Sequence, residues 1–380
     1  MGAVEIVPVK TEAEKERFVK VPMRIAAAAK DPAWVSPLIM ERMEALTPKT
    51  NPLFEHMDWQ LWIARKDGQD VGRISAQIDH LAPSDPKNPS GYFGMIHAVD
   101  DQEVFQALFQ TAEGWLRDHG VRQALGPFNM SVNEETGLLI EGFDTPPMIM
   151  MGHDQPYVAG RIEAQGYAKI KDVYAYKIST STDVPAAARR RIQRAAPAGI
   201  SLRPLNFKNY EPEVRAMTEI MNEAWADNWG HTEITEAETR QLAKSMRPII
   251  NEKLVWFADI DGESAGFGVC LPNVNEAIRD LGGKLLPLGW AKLLWRLKVS
   301  GLKTGRVPLM GVKRKFARDF RGQLLPFMLV DKMRAEAMKA GIEEVEMSWI
   351  LEDNKPMRAI IEAVGADRYK TYRIYQKQIA

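Results

Sequence analysis

Apolar and polar positions along this chain alternate over short stretches and then switch to helical spacing, and the switch occurs twice in the same order. Ile200 to Leu205 alternates like a short strand. Leu254 to Ile260 and Ser264 to Leu271 are apolar runs on either side of Asp261-Gly262, which predicts a hairpin. Between these two features, Glu211 to Trp225 reads as a helix, with Pro212 tolerable in its first turn. Val307 to Lys313 predicts another strand. Leu325, Met328, Leu329 and Met333 share one face of a helix running from about Leu324 to a stop at Gly341. A strand over Glu344 to Trp349, a helix over Lys355 to Val364 and a strand over Tyr369 to Gln378 close the series. The first half runs in parallel. Its hairpin is Gln60 to Gln77, its central strand Gly94 to Val99, and its helix Glu103 to His119, stopped by Gly120. Strand Arg122 to Leu125, a helix ending before Gly166 and strand Asp172 to Ile178 complete it.

Turn and aromatic positions repeat with the same spacing. Trp62, Ala64, Asp67-Gly68 and Gly72 match Trp256, Ala258, Asp261-Gly262 and Gly266. Ile162-Glu163-Ala164 before Gly166 matches Ile361-Glu362-Ala363 before Gly365, and Tyr176 and Tyr375 each lie ten residues past their glycine. Pro8 and Pro204 precede the two tryptophans at nearly equal distances. A unit of about 190 residues is far longer than the roughly 20–50 of a solenoid repeat, so the chain holds two copies of one domain. The expected division is 1–178, a linker over 179–199 around Pro185, and 200–380.

Composition narrows the function. The 380 residues include 50 basic and 50 acidic side chains, so no global field favours nucleic acid. Cys270 is the single cysteine, which excludes an internal disulfide and a cysteine-based metal cluster. No helix-spaced His pair is present, so no metal site is expected. The first 17 residues lack the apolar core of a signal peptide, and no stretch reaches the ~18 apolar residues of a membrane span. A cytoplasmic protein, soluble or peripheral, is the expectation.

The element order, together with Asn354 followed by a helix and by Gly365 eleven positions on, resembles the GNAT acyltransferase superfamily. The resemblance covers both halves. It implies an α/β (α+β) fold of two tandem domains, each with a mixed, mostly antiparallel sheet flanked by helices, and an acyl-CoA co-substrate. In that family the donor's pyrophosphate sits on backbone amides at the start of the long helix, where unpaired N–H groups and the helix dipole attract phosphate. The copies differ there. The first reads Val99-Asp100-Asp101-Gln102-Glu103, with Asp101 read as an N-cap. The second is basic from Val312 through Arg314, Arg318 and Arg321-Gly322-Gln323. Those residues and Asn354 are the expected donor-binding set, so the first copy is expected not to bind the donor. Leu324 and Pro326 replace the family's usual small residues, which leaves a carrier-protein thioester open as donor. Ile361 stands where the family often has a Tyr general acid, so the leaving thiolate would be protonated from elsewhere or from water.

Between its hairpin and central strand the second copy carries extra residues, about 271–306. From Leu281 to Arg318 there are ten basic residues and no acidic one. Trp290, Leu293, Leu294 and Leu297 fall on one helical face within it, as suits either an anionic lipid surface or packing on the protein's own core.

Two polar constellations are candidates for the acceptor site. One is Trp225, Asn228, Trp229 and His231, after the first helix of the second copy. His231 titrates near neutrality and is a candidate base, or an exposed loop histidine. The other is a long loop in the first copy, with Asn129, Asn133, Glu134, Glu135, His153 and Tyr157. Glu134 and Glu135 are further candidate bases, and the alternative is a loop that caps and braces itself. The loop from Gly126, Asn228-Trp229-Gly230 and the tandem arrangement resemble a bacterial group of GNAT proteins that includes bacterial ceramide synthases. This implies N-acylation of a long-chain sphingoid amine by direct attack on a fatty acyl thioester; independently, the stripe of the insertion suits such substrates if it roofs an acyl-chain tunnel, which puts Trp290 among the expected substrate contacts. Acylation of an amino acid or small polar amine, and non-catalytic binding of acyl-CoA or lipid, remain as alternatives.

Overall fold

The computed structural model describes residues 2–379 except 183–184, 187–188, 191–192 and 194–198. By its own contacts the chain forms two units: Met1–Val173 with Ile278–Leu286 and Lys370–Ala380, and Tyr174–Ala277 with Pro287–Tyr369.

Unit 1 is built on β1 (Glu5–Pro8), β2 (Met57–Lys66), β3 (Gln69–Asp79), β4 (Ser90–Ala98) and β5 (Gln123–Gly126). Neighbours from β1 to β4 are antiparallel, whereas β4 and β5 run parallel from Ser90↔Gln123 to Tyr92↔Leu125. Beside β5 lies β15 (Asp367–Gln378), antiparallel, with Tyr375 opposite Gly126. Helices α1 (Glu12–Ala29), α2 (Ile39–Ala45), α3 (Gln102–Asp118) and α4 (Val158–Glu163) complete the layers. Phe105, Leu108, Phe109 and Leu116 recur at helical spacing along α3, and all are buried with Ile74, Phe93 and Ile96 of the sheet. Short strands β6 (Phe128–Asn129), β7 (Glu135–Thr136) and β8 (Leu138–Glu141) order the long loop; β6 pairs with β7, and β8 with β15.

Unit 2 repeats the plan with β10 (Ile200–Pro204), β11 (Val255–Ile260), β12 (Glu263–Pro272), β13 (Thr304–Val312) and β14 (Glu344–Leu351). Here β13 and β14 are the parallel pair. Beside β14 lies β9 (Ala168–Ser179), whose residues from Tyr174 onward belong to this unit. Its helices are α5 (Tyr210–Trp225), α6 (Glu236–Met246), α7 (Gly289–Trp295), α8 (Arg314–Ala317), α9 (Phe320–Lys339) and α10 (Lys355–Ala363).

The repeated sequence marks prove to be equivalent positions. Pro8 faces Trp62, and Pro204 faces Trp256. Both hairpins slip register after the Ala opposite a Gly, at Ala64↔Gly72 and Ala258↔Gly266. Their turns place Asp67 and Asp261 at φ 51° and 50°, each followed by a glycine at positive φ, the backbone that suits a tight hairpin.

The closing strands are traded between the copies. Tyr375 donates to Glu163 Oε1 at 3.2 Å in unit 1, and Tyr176 donates to Glu362 Oε1 at 3.1 Å in unit 2. Each tyrosine therefore bonds the glutamate of the other copy's Ile-Glu-Ala motif. The compact units thus differ from the sequence division at 1–178 and 200–380. Of the expected linker, Thr180 donates to the carbonyl of Ile342 at 2.7 Å, and most of 183–198 lies outside the described residues. The insertion is also divided, since Ile278–Leu286 belong to unit 1, where the Gly283 carbonyl accepts from Ile39 N at 3.0 Å. Helix α9 starts at Phe320, earlier than its apolar spacing implied, and Leu324 and Pro326 are buried within it.

Candidate active site

In unit 2 the parallel pairing ends at Val307↔Met347. The next residue of β13 is Pro308, which has no N–H to continue a ladder. Past this point Pro308, Met310 and Ser348 to Leu351 line a cleft that opens to solvent. Val330 of α9, Met357 and Ile361 of α10, and Trp225 and Asn228 complete its mainly apolar wall. Trp225 donates from its indole to the Met310 carbonyl at 3.3 Å, and its ring lies 6.4 Å from Trp349. Asn354 caps α10, accepting from Met357 N at 3.2 Å. Behind the wall, buried Arg306 and Glu346 form an ion pair at 3.3 Å. Arg306 Nε donates to Ser348 Oγ at 2.8 Å, and the hydroxyls of Ser348 and Tyr369 donate to Glu346. With partners on both charges, this network fixes the strand that carries Trp349.

Unit 1 has the same parallel pair, but its own chain fills the gap. The approach at Gly94 is so close that a Cβ there would sit 1.7 Å from the Phe128 carbonyl oxygen. Gln77 donates to that carbonyl at 2.7 Å, and Asn129 Oδ1 accepts from Met95 N at 2.7 Å.

Apart from Asn354, the residues expected to hold the donor lie near the start of α9. Val312 ends β13, and Arg314 opens α8. Arg314 pairs with Asp227 at 2.5 Å, and its N–H donates to Glu223 at 2.8 Å. Arg321 reaches Asp261 at 2.7 Å and Asp319 at 3.1 Å. Asp319 is also the N-cap of α9, accepting from Arg321 N, just as Asp101 caps α3 by accepting from Glu103 N. Both long helices thus begin under an aspartate, and the difference between the copies at the helix start is smaller than the sequence implied. Gly322 is required by packing: a Cβ there would lie 1.9 Å from the Phe316 carbonyl oxygen. Gln323 is exposed and bonds Asp319 O through its N–H. Arg318 is exposed and forms no ion pair among the described residues.

In the unit 1 loop most candidate side chains are engaged. Glu135 pairs with Arg42 at 2.9 Å and accepts from Asn129 at 2.8 Å. Burial pushes its carboxyl up, but Arg42, Asn129 and Arg73 outweigh burial and hold it below the usual carboxylate range. That is a structural anion rather than a base poised near neutrality. His153 is buried against Asp31, Nε2 to Oδ2 2.9 Å, and burial lowers its pKa. Tyr157 donates to the Ala98 carbonyl at 2.7 Å, and burial pushes its hydroxyl up to about 12. Asn133 N–H donates to Ser131 Oγ at 3.2 Å, and Glu134 N–H to the Ser131 carbonyl at 3.2 Å, so both sit in a tight turn. The structure adds residues that sequence reasoning missed. His97 Nε2 lies 3.8 Å from Asp154 Oδ1, and Arg73 lies 3.4 Å from His97 Nδ1. Burial pushes His97 down to about 3, Arg73 down to about 9 and Asp154 up to about 7. The signal was present in the repeat: Arg73↔His97 in unit 1 corresponds to Phe267↔Gly311 in unit 2.

His231 follows α5 in unit 2, its N–H bonding the carbonyl of Asn228, a cleft residue, at 3.1 Å. Burial lowers its pKa, and Nε2 is buried without a hydrogen-bond partner among the described residues. Trp229 is half-buried in the same turn. Trp290 is on α7 with its indole donating to the Pro287 carbonyl at 3.1 Å, and it is not among the residues of the cleft wall. Among the described residues no group of three or more His, Cys, Asp or Glu is placed to hold a metal ion, and no helix is long and apolar enough to cross a membrane.

A duplicated sheet with a cleft at a parallel strand pair in unit 2 is the architecture of a tandem GNAT protein. A tandem GNAT protein from the clavulanic acid biosynthesis pathway aligns with TM-score 0.57 at 16% identity, covering 99% of both chains. A GNAT protein from Sphaerobacter thermophilus aligns with TM-score 0.52 at 15% identity, over 99% of this chain and 96% of that one. At such identities these likenesses establish the fold. The bacterial ceramide synthase of Caulobacter vibrioides is 56% identical over 377 residues, covering 99% of this chain and 98% of its own, and the chain belongs to that family of N-acyltransferases. Protein YghO of Escherichia coli K12 is 43% identical over 349 residues, covering 92% of this chain and 89% of its own. No family model matches the chain.

Proposed function

We propose that unit 2 holds an acyl-CoA thioester in the cleft between β13 and β14 and passes its long acyl group to a lipidic amine of sphingoid type. The observation that carries this reading is the asymmetry of the two parallel strand pairs: one opens into an apolar cleft, and the other is closed by its own backbone. The acceptor class draws on the Caulobacter relative's name and on the apolar wall of Met310, Met347, Trp349 and Met357. Val312, Arg314, Arg318, Arg321, Gly322, Gln323 and Asn354 would hold the donor; Asn354 lines the cleft, and exposed Arg318 is the cation left for the phosphates.

The amine attacks the thioester carbonyl directly: a C–N bond forms, the C–S bond breaks and the thiolate leaves. His231 is the candidate base. Its lowered pKa keeps the imidazole neutral at pH 7, and in the tautomer protonated at Nδ1 the unpartnered Nε2 has the lone pair that takes the amine proton. Trp225, Asn228 and Trp229 would orient the acceptor. Ile361 on the cleft wall offers no proton, so the thiolate takes one from solvent. Because acyl-CoA is a cytoplasmic metabolite, the reaction belongs in that compartment.

Free-thiol release tests the proposal, with acyl-CoA or an acyl carrier-protein thioester offered alongside a sphingoid base, an amino acid or no amine. Turnover is expected with long-chain acyl-CoA and the sphingoid base alone. Turnover with the amino acid would favour the small-amine reading, and none with any amine a binding protein. His231→Ala should cost about 10²–10⁴-fold in kcat/KM, and the parent profile should rise with pH through a value below that of an ordinary histidine.

A further inference from the structure

The insertion that follows β12 leaves its apolar side chains in solvent. Leu288 is 73% exposed, Trp295 and Val299 61%, and Trp290 and Leu294 49%, all within a dozen residues of unit 2. The half-buried positions of this segment are Gly289, Ala291, Leu293, Arg296 and Leu297, so the helix packs on its own unit by one edge and turns an apolar side outward. Monomeric proteins rarely leave so many large apolar groups together in water. A stripe lying over a core would be covered, and this one is not.

Charge selects the occupant. No acidic residue lies between Leu281 and Arg318 in a chain whose formal charge is zero. Lys303, Arg306, Lys313, Arg314 and Lys315 pair with acids elsewhere in the chain, and the cations of the exposed segment itself are Lys292, Arg296 and Lys298. Lys292 and Lys298 are exposed on α7 and the turn after it, between the apolar residues in sequence. A second copy of the chain would bring the same cations face to face, and a neutral partner would leave them unused. We infer that Leu288 to Val299 is an interfacial anchor for an anionic lipid bilayer. Leu288, Trp295 and Val299 enter the acyl–headgroup boundary while Lys292 and Lys298 meet lipid phosphates. Tryptophan suits that depth because its ring is amphipathic. Docking of this kind needs no acyl transfer, so it holds or fails independently of the proposed reaction.

Co-sedimentation of the full chain with phosphatidylcholine vesicles, with and without phosphatidylglycerol, tests it. The parent chain should pellet with the mixed vesicles, less so as salt rises, and should show a blue-shifted tryptophan emission that Trp295→Ser diminishes. Leu288→Ser/Trp295→Ser/Val299→Ser should weaken vesicle binding by at least about tenfold with Tm unchanged. Lys292→Glu/Lys298→Glu, which leaves every apolar group in place, should abolish the preference for anionic vesicles. Equal pelleting of parent and triple variant, or equal binding to neutral and anionic vesicles, would overturn the proposal. So would a parent dimer that the triple variant converts to monomer without any vesicle binding. Thiol release with a short-chain, water-soluble amine, run on the triple variant, reports on catalysis separately.

Discussion

Asp154 and His97 face each other in unit 1, and burial moves them in opposite directions, the carboxyl up to about 7 and the imidazole down to about 3. A raised acid pKa gives stability that is complete below the ordinary value of 3.8 and is lost as pH rises through about 7. A lowered histidine pKa gives stability that is complete above 6.5 and is lost as pH falls toward about 3. Between about 4 and 6.5 the two trends oppose and largely cancel. Asp154→Asn keeps an oxygen to accept the Leu139 N–H and removes the titration. Relative to the parent, its stability should therefore rise with pH across about 4 to 7, by up to about 1.4 kcal/mol per pH unit. Urea midpoints across that range measure it, and a flat difference would mean that Asp154 titrates as an ordinary carboxyl.

At the scale of elements, Gly322 shows how one residue can satisfy two readings. Its position in a basic turn before a long helix invited a phosphate-binding role, yet the contact that excludes any other residue is with the Phe316 carbonyl. Gly322→Ala must push α8 off the first turn of α9. The expected cost is about 1–3 kcal/mol in thermal or urea unfolding, the usual penalty for overpacking, together with weaker acyl-CoA binding. Unchanged stability would mean that α8 yields freely. Most elements were legible because turns and caps are local: Asp-Gly at each hairpin tip and Gly341 after α9 act through their own backbone. Helix α1 was not read, although Thr11 and Glu14 form a capping box, because Pro22 interrupts its pattern. The cleft itself was illegible. It depends on where two strands that are distant in sequence stop pairing, and only the register shows that Pro308 marks the place. The apolar face of α7 was half legible: helical spacing found Trp290 and Leu294, but spacing cannot say which edge of a stripe faces water.

At the scale of the whole molecule, element order reads the same whichever sheet receives a closing strand, so the exchange of β9 and β15 could not be seen in the repeat. It has a direct test. Deleting 370–380 removes Tyr372, Ile374 and Tyr375, all fully buried, from a unit otherwise made mainly of the first half of the sequence. Hydrogen exchange should then show lost protection in β5, β8 and α4 of unit 1, with β11 and β12 of unit 2 little changed. Retained protection in unit 1 would mean that the strand is dispensable.

The exchange also bears on where such a chain came from. One copy alone ends in a strand whose tyrosine matches the glutamate of either copy, since Tyr176 and Tyr375 stand at the same offset from the same motif. Two identical single-copy chains could satisfy those bonds by swapping tails. The tandem protein has the connectivity of a swapped homodimer written into one polypeptide. Fusion removes the concentration dependence of such a pair and frees the halves to diverge. One parallel strand pair could then close while the other stayed open.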